Sequence, residues 1–450
     1  MTVTTLQRSS VHITVIVLVI CASAVIDTSI IRISTSTGGL SASALNVAFF
    51  TYMVVLFGYG QYVLLHYVNR KNSQFQDRVI FYKIKLSLLE KFVTIIQYIL
   101  ITILAIFILQ MVLYQSYLLI LLKSVIFITY ISSGIVLALM AFRLTTWLKV
   151  NRSVVGLLYS LAIAILAVNS FFSFIYLNIE YSDNPAVIRP VRSLPGNYAS
   201  SEFPLQPTYI IISVISFILT WTATVFLLKN YSSSLGKMRF WILVAIPLAY
   251  FISQFQSIFL YSFSEFRISN PVLFGIIYNL IFSATKPVGA LLFGLGFWSI
   301  SRRVQNRTVQ NYLLMSAYGV SLLFTANQPL GLIYVPYPPF GVVTICFMVL
   351  ASYLFYLGIY SASVSVSVDR KLRQSIRNAA IKESTKFLDS IGTAEMVRDI
   401  ERKVVSVTEA TRDNIERETG ISSSVDYEDI KKYLQEVLHE IKNKRVKKSE

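Results

Sequence analysis

One lysine poses the chemical question of this chain. Lys286 stands in PVLFGIIYNLIFSATKPVGALLFGLGFW, a run with no other charged residue. At the helical rise it lies about 20 Å from one end of the run and about 18 Å from the other. An ionisable group at such depth is costly to insert and by default marks a functional site. Asn279 and Thr285 share the run and, with Lys286, make the candidate ligand-binding set. Pro287 removes a backbone donor, which predicts a kink and a freed carbonyl. No Asp or Glu is expected mid-membrane, so the ammonium has no evident carboxylate partner, and carboxylate-based cation coupling is not indicated. The sharp reading is an anionic or carbonyl-bearing ligand in a polar cavity. A Schiff-base cofactor such as retinal would want a counter-ion that the run lacks. The plain reading is an ammonium satisfied by carbonyls, by Asn279 and Thr285, or by water.

Other chemistry-bearing residues form no site. His12, His66 and His439 are far apart and show no metal-ligand spacing. Cys21 and Cys346 both fall in apolar runs, outside any C-x-x-C. There is no Walker loop and no dinucleotide fingerprint. Intramembrane catalysis would want paired Asp, Ser-His or a metal cluster, and none is written here. The expectation is a non-enzymatic protein without metal or cofactor. Lys123 lies near the end of its run and can snorkel to the interface. Gln97, Gln110, Asn169, Gln254 and Gln256 read as hydrogen-bonding glue between helices. The sequons at Asn151, Asn230 and Asn306 fall on the expected inner side.

The elements that must position these residues are membrane spans. A crossing helix needs about 20 apolar residues, and such runs lie near 11–31, 47–67, 92–114, 117–142, 153–177, 209–229, 240–262, 273–298, 312–330 and 341–363. FVTIIQYILITILAIFILQMVLY (92–114) does not alternate, which excludes a β-barrel strand. Basic residues crowd alternate joins: Arg70, Lys71, Arg78, Lys83, Lys85 and Lys91 in one, Arg143, Lys149 and Arg152 in another, Lys229, Lys237 and Arg239 in a third, Arg302, Arg303 and Arg307 in a fourth. By the positive-inside rule these joins are cytoplasmic, with both termini inside. The fold class is therefore all-α: a polytopic membrane protein of about ten transmembrane helices, residues 1–363, with a C-terminal cytosolic helical tail, 364–450. Arg8, the short run from Val15 and Ala22-Ser23-Ala24 also fit a cleaved signal peptide; a retained first helix is expected because apolar character resumes at Ile30 and Ile31.

The formal charge of +17 belongs to topology rather than to nucleic acid. Residues 1–363 hold 22 basic and 7 acidic side chains, whereas the tail holds 18 and 16. The surplus thus faces the headgroups of the lipid bilayer, and no nucleic-acid partner is expected. On the outer side, residues 178–208 carry five of the twelve prolines with Tyr181 and Arg189, and 327–340 reads NQPLGLIYVPYPPF. Together these segments are expected to cap a ligand mouth.

The tail has helical periodicity. Leu372, Ile376, Ala380, Phe387 and Ile391 trace one stripe, and Gly392-Thr393 is expected to interrupt it. Met396, Ile400, Val404, Val407, Thr411 and Ile415 trace a second, and Ile430 to Ile441 a third. Such stripes need a partner: a small bundle, a cytosolic protein, or a homodimeric coiled coil. HEIKN at 439–443 resembles the phospho-accepting box of sensor histidine kinases, but Lys444 stands where that family has proline, and a chance likeness on an amphipathic helix is expected. DRKLRQSIRNAAIKES and SIGTAEMVRDIERKV resemble tails of uncharacterised archaeal multi-spanning membrane proteins. That resemblance covers the last fifth of the chain and implies a helical cytosolic tail without an activity. The functional expectation is a receptor or signal-transducing protein of the cell membrane, with a transporter of a small, anionic solute as rival. Five spans on each side of the long outer loop suit the rival.

Overall fold

The computed structural model describes residues 3–34, 40–76, 80–151, 153–182, 184–190, 205–229, 236–253, 261–304, 306–328, 332, 337–369, 373–374 and 383–419. They are almost wholly helical: α1 (Val3–Ser34), α2 (Leu40–Gln76), α3 (Ile80–Tyr114), α4 (Leu119–Val150), α5 (Val154–Glu180), α6 (Gln206–Leu228) and α7 (Lys237–Ser253). Then come α8 (Ser264–Ser269), α9 (Pro271–Ser283), α10 (Thr285–Ser301), α11 (Arg307–Ala326), α12 (Val342–Ile345), α13 (Phe347–Val368) and α14 (Glu383–Thr419).

Among the described residues, eight helices are long and apolar enough to cross a membrane. They lie in α1 to α6, in Leu273–Ser301 across α9 and α10, and in Val342–Val368 across α12 and α13. Two expected spans are not among the eight. The one at 240–262 falls on α7, described over 17 residues, and Gln254 and Gln256 lie outside the described residues. The one at 312–330 falls on α11, which is buried from Met315 to Ala326.

The middle of the bundle is α13. It is buried on all faces from Phe347 to Ser367 except at Tyr356, and packs on α4, α11 and α14. Its serines do not break it: Ser352 and Ser365 return their hydroxyls to carbonyls one turn back, at 2.7 and 2.8 Å. Its tightest neighbour is α11, for which glycine is needed on both helices. A Cβ at Gly319 would stand 2.4 Å from the Phe355 nitrogen, and one at Gly358 2.5 Å from the Tyr312 carbonyl oxygen. Small residues let membrane helices approach this closely, which gains dispersion contacts.

The outer segments meet where they are described. Tyr117–Leu118 pairs antiparallel with Val187–Ile188, tying the long loop to the start of α4. The Tyr181 hydroxyl donates to the Leu332 carbonyl, and the Tyr117 and Tyr337 rings stack at 6.1 Å. Residues 191–204, with Arg192 and Tyr198, lie outside the described residues.

The tail departs from expectation at Gly392-Thr393. One helix, α14, runs through both residues, and Phe387, Leu388, Ile391 and Ala394 bury against the membrane helices. Glycine costs a helix about 1 kcal/mol relative to alanine, but here it is the residue that fits. A Cβ at Gly392 would lie 2.4 Å from Val366 Cγ1. Packing overrides the interruption. The stripes from Leu372 to Ala380 and from Ile430 to Ile441 lie outside the described side chains.

Candidate functional site

At the kink, α9 stops at Ser283 and α10 starts at Thr285. Pro287 cannot donate to the Ser283 carbonyl four residues back. That oxygen accepts instead from Gln328 Nε2 at 3.5 Å, and the Phe282 carbonyl accepts from the Thr285 hydroxyl at 2.8 Å. The Tyr250 hydroxyl donates to the Ile281 carbonyl. Neighbouring side chains thus satisfy the carbonyls at the break, as a low-dielectric surround requires.

Lys286 projects from this break towards α6 and the end of α11. Its Nζ donates to the Asn327 carbonyl oxygen at 2.7 Å and to Tyr209 Oη at 3.1 Å, and stands 5.6 Å from the centre of the Tyr209 ring. Asn327 is the C-terminal cap of α11, so the ammonium meets the negative end of that helix dipole. A helix terminus and an aromatic face take the place of the missing carboxylate. Tyr209 is itself held by stacking on Tyr176, with centroids 5.9 Å apart.

Of the three expected site residues, Lys286 alone lines the polar cavity. The walls are Leu166 and Asn169 from α5, Ser213, Ser216 and Phe217 from α6, and Phe324 and Asn327 at the end of α11. Asn279 and Thr285 are buried elsewhere: Asn279 on α9, and Thr285 with its hydroxyl turned to Phe282. Asn169, expected as interhelical glue, is instead fully buried in the cavity wall with both amide atoms unpartnered. Ser216 Oγ and Asn327 Oδ1 are likewise buried and, like the Asn169 amide, without a partner among the described residues. Sequence spacing gives no means to find this cluster, because its members come from four helices.

An ammonium has three donors, and two are engaged. The cavity therefore offers one N–H of Lys286, the donor and acceptor of Asn169, the Ser216 hydroxyl and the Asn327 amide oxygen. That set suits a small carboxylate or carbonyl group. The space is about 190 Å³ and too narrow for a freely moving water-sized sphere. Binding here therefore requires the walls to part.

Two carboxylates are buried away from the middle of any span. Asp27, in the first span, is 1% exposed; its Oδ2 accepts from the Thr344 N–H at 3.2 Å and hydroxyl at 2.6 Å. It borders a cleft of about 260 Å³ between α1, α2, α12 and the start of α13. Glu395 of α14 is fully buried where the tail meets α4. Arg143 Nη2 donates to its two oxygens at 2.6 and 2.8 Å, and Trp147 Nε1 donates at 2.7 Å. The guanidinium lies 4.9 Å from the Tyr360 ring centre on α13. Arg143 reads in sequence as a topology signal, and only the docked tail shows its second role.

Among the described residues no cluster of His, Cys, Asp and Glu could hold a metal ion. Asn306, one of the three sequons, is the N-cap of α11, accepting from the Thr308 and Val309 N–H groups at 2.9 and 3.3 Å. No protein-family model, curated protein or solved structure matches this chain, so it is placed by its own geometry as a helical, multi-pass membrane protein.

Proposed function

We propose that this chain is a non-enzymatic receptor or signal-transducing protein of the cell membrane, with ten spans and a cytosolic tail. A small carboxylate- or carbonyl-bearing ligand enters the Lys286 cavity, and the tail reports its presence. The observation that carries this reading is the burial of Glu395 of α14 against Arg143 and Trp147 of α4. A tail that only solubilised a terminus would have no use for a buried charge there. Motion has a packed route from cavity to tail. Asn327 ends α11, α11 lies on α13 through Gly319 and Gly358, and α13 carries α14. Parting the cavity walls displaces the end of α11, and two closely interlocked helices pass on such a shift rather than absorb it.

Hydrogen exchange of α14 amides in the full-length protein tests the coupling. Lys286→Met and Asn169→Leu, both in the cavity, are expected to alter exchange at residues 387–395 several-fold. Unchanged exchange in both variants would mean that cavity and tail do not communicate, and the reading would fail. The rival, transport of a small anionic solute, is favoured by the unpartnered polar atoms beside Lys286. Uptake into vesicles that collapses in Lys286→Met but survives removal of the tail would put that rival first.

A further inference from the structure

Among the described residues, the seam between α4 and α14 brings three guanidiniums to one carboxylate, Glu395. Glu395, Arg398 and Arg402 follow one another at steps of three and four, so they share a face of α14. That face meets Arg143 through Glu395. One carboxylate thus stands among three guanidiniums. The next acid along the helix, Asp399, is engaged by Lys403 at 3.2 Å.

Two guanidinium donors at the seam have no acceptor among the described residues. Arg143 Nε and Arg398 Nη1 are both buried from solvent and without a hydrogen-bond partner. A buried N–H without an acceptor carries its full desolvation penalty, larger still for a charged group. The electrostatics of Arg398 register the same shortage. Burial, and then the charges of Arg143 and Arg402, pull it below the usual guanidinium range, with Glu395 opposing. Trp147, Tyr360 and Tyr356 stack as a wall beside the cluster, with centroids 6.5 and 5.6 Å apart. Acceptor oxygens are what Arg143 Nε and Arg398 Nη1 lack among the described residues. Guanidinium forks match phosphate oxygens two at a time.

We infer that Arg143, Arg398 and Arg402 form a phosphate-binding site at the seam between the membrane helices and the tail, taking an acidic phospholipid headgroup or a soluble phosphate. Arg143 belongs to the basic set expected on the cytoplasmic side, where anionic headgroups concentrate and where basic pockets between helices bind them. Bound phosphate gives Arg143 Nε and Arg398 Nη1 their missing acceptors and joins tail to bilayer. The site is separate from the Lys286 cavity and does not depend on its role.

Full-length, delipidated protein in neutral detergent provides the test, with retained lipid counted by native mass spectrometry. Phosphatidylglycerol is expected to stay bound where phosphatidylcholine does not. Arg398→Gln with Arg402→Gln is expected to weaken retention about ten-fold, the equivalent of one lost charge-assisted contact. Lys403→Gln removes one exposed charge from the same helix and is expected to leave retention unchanged. Should inorganic phosphate displace phosphatidylglycerol and protect the wild type as well, the natural ligand is a soluble phosphate and the site stands. Equal retention of the two lipids by the wild type would overturn the proposal without reference to any variant. So would a loss in Lys403→Gln matching that in the double variant, which would reveal only diffuse attraction.

Discussion

At the scale of single residues, two buried charges solve their problem in different ways. Glu395 has an opposite charge and an indole donor; Lys286 has a helix terminus, a hydroxyl and an aromatic face. Removing one member of a buried pair strands the other, at about 3–5 kcal/mol. Glu395→Gln is expected near 3 kcal/mol, the low end, because Arg143 keeps its contacts with Trp147 and Tyr360. Replacing both partners with Leu and Met is expected to recover part of that loss, since neither member of the pair is then stranded, although Trp147 Nε1 loses its acceptor. Thermal unfolding in detergent measures both; a double variant as unstable as the single one would refute the account. Lys286→Met should behave otherwise. It gives up about 1 kcal/mol of charge–dipole attraction at the α11 terminus but also relieves the burial of an ammonium. A net change within about 1–2 kcal/mol is expected, and a loss of several would make Lys286 a structural keystone rather than a ligand group.

At the scale of elements, the close crossing of α11 and α13 is the feature most open to attack. Gly358→Val would drive its side chain into the Tyr312 carbonyl and Ser316, among atoms 2.3–2.6 Å from a new Cβ. Overpacking costs about 1–3 kcal/mol, and backbone atoms cannot yield as side chains do. Gly58, on α2, has nothing within 4 Å of a new Cβ. Gly58→Ala should be neutral or stabilising by up to about 1 kcal/mol, the helix-propensity difference. Unfolding of the two variants side by side checks the contrast, and equal behaviour would mean that the crossing is not tightly specified. How much of this was legible follows from what periodicity can carry. Apolar runs mark single helices against lipid, so α1 to α6 and the kink at Pro287 are readable from residue order. Which helices cross, and that Gly319 faces Phe355, depends on pairing between distant segments. The same limit hid Asn169 in the Lys286 cavity and made Gly392 look like a helix break instead of a contact. The partners of Asp27 are a backbone N–H and a threonine rather than a basic residue, and no pattern in residue order announces them.

At the scale of the whole molecule, the tail is two things in sequence. Up to Glu395 it is part of the packed body; beyond, α14 extends a further 24 residues to Thr419, about 36 Å at the helical rise. On that extension Ile400, Val404 and Val407 are 40%, 37% and 63% exposed, at steps of four and three that make a coiled-coil seam. Lone apolar residues on a surface need no explanation, but an aligned row is unfavourable in water unless something covers it. If a second copy covers it, the stripe must read as a seam in cross-linking. With Cys21 and Cys346 changed to alanine, Ile400→Cys and Val407→Cys are expected to form disulfide dimers in native membranes. Glu409→Cys, turned about 200° from Val407 at 100° per residue, is expected to stay monomeric. Equal yields at all three positions would indicate random collision between crowded tails. No dimer at any position would mean that the stripe folds against residues of its own chain, and signalling would then have to leave through a separate cytosolic partner. A dimer confined to the stripe would give the bend at α11 and α13 a lever to act on, because two tails that share a seam turn a small displacement at their bases into a change of register along their length.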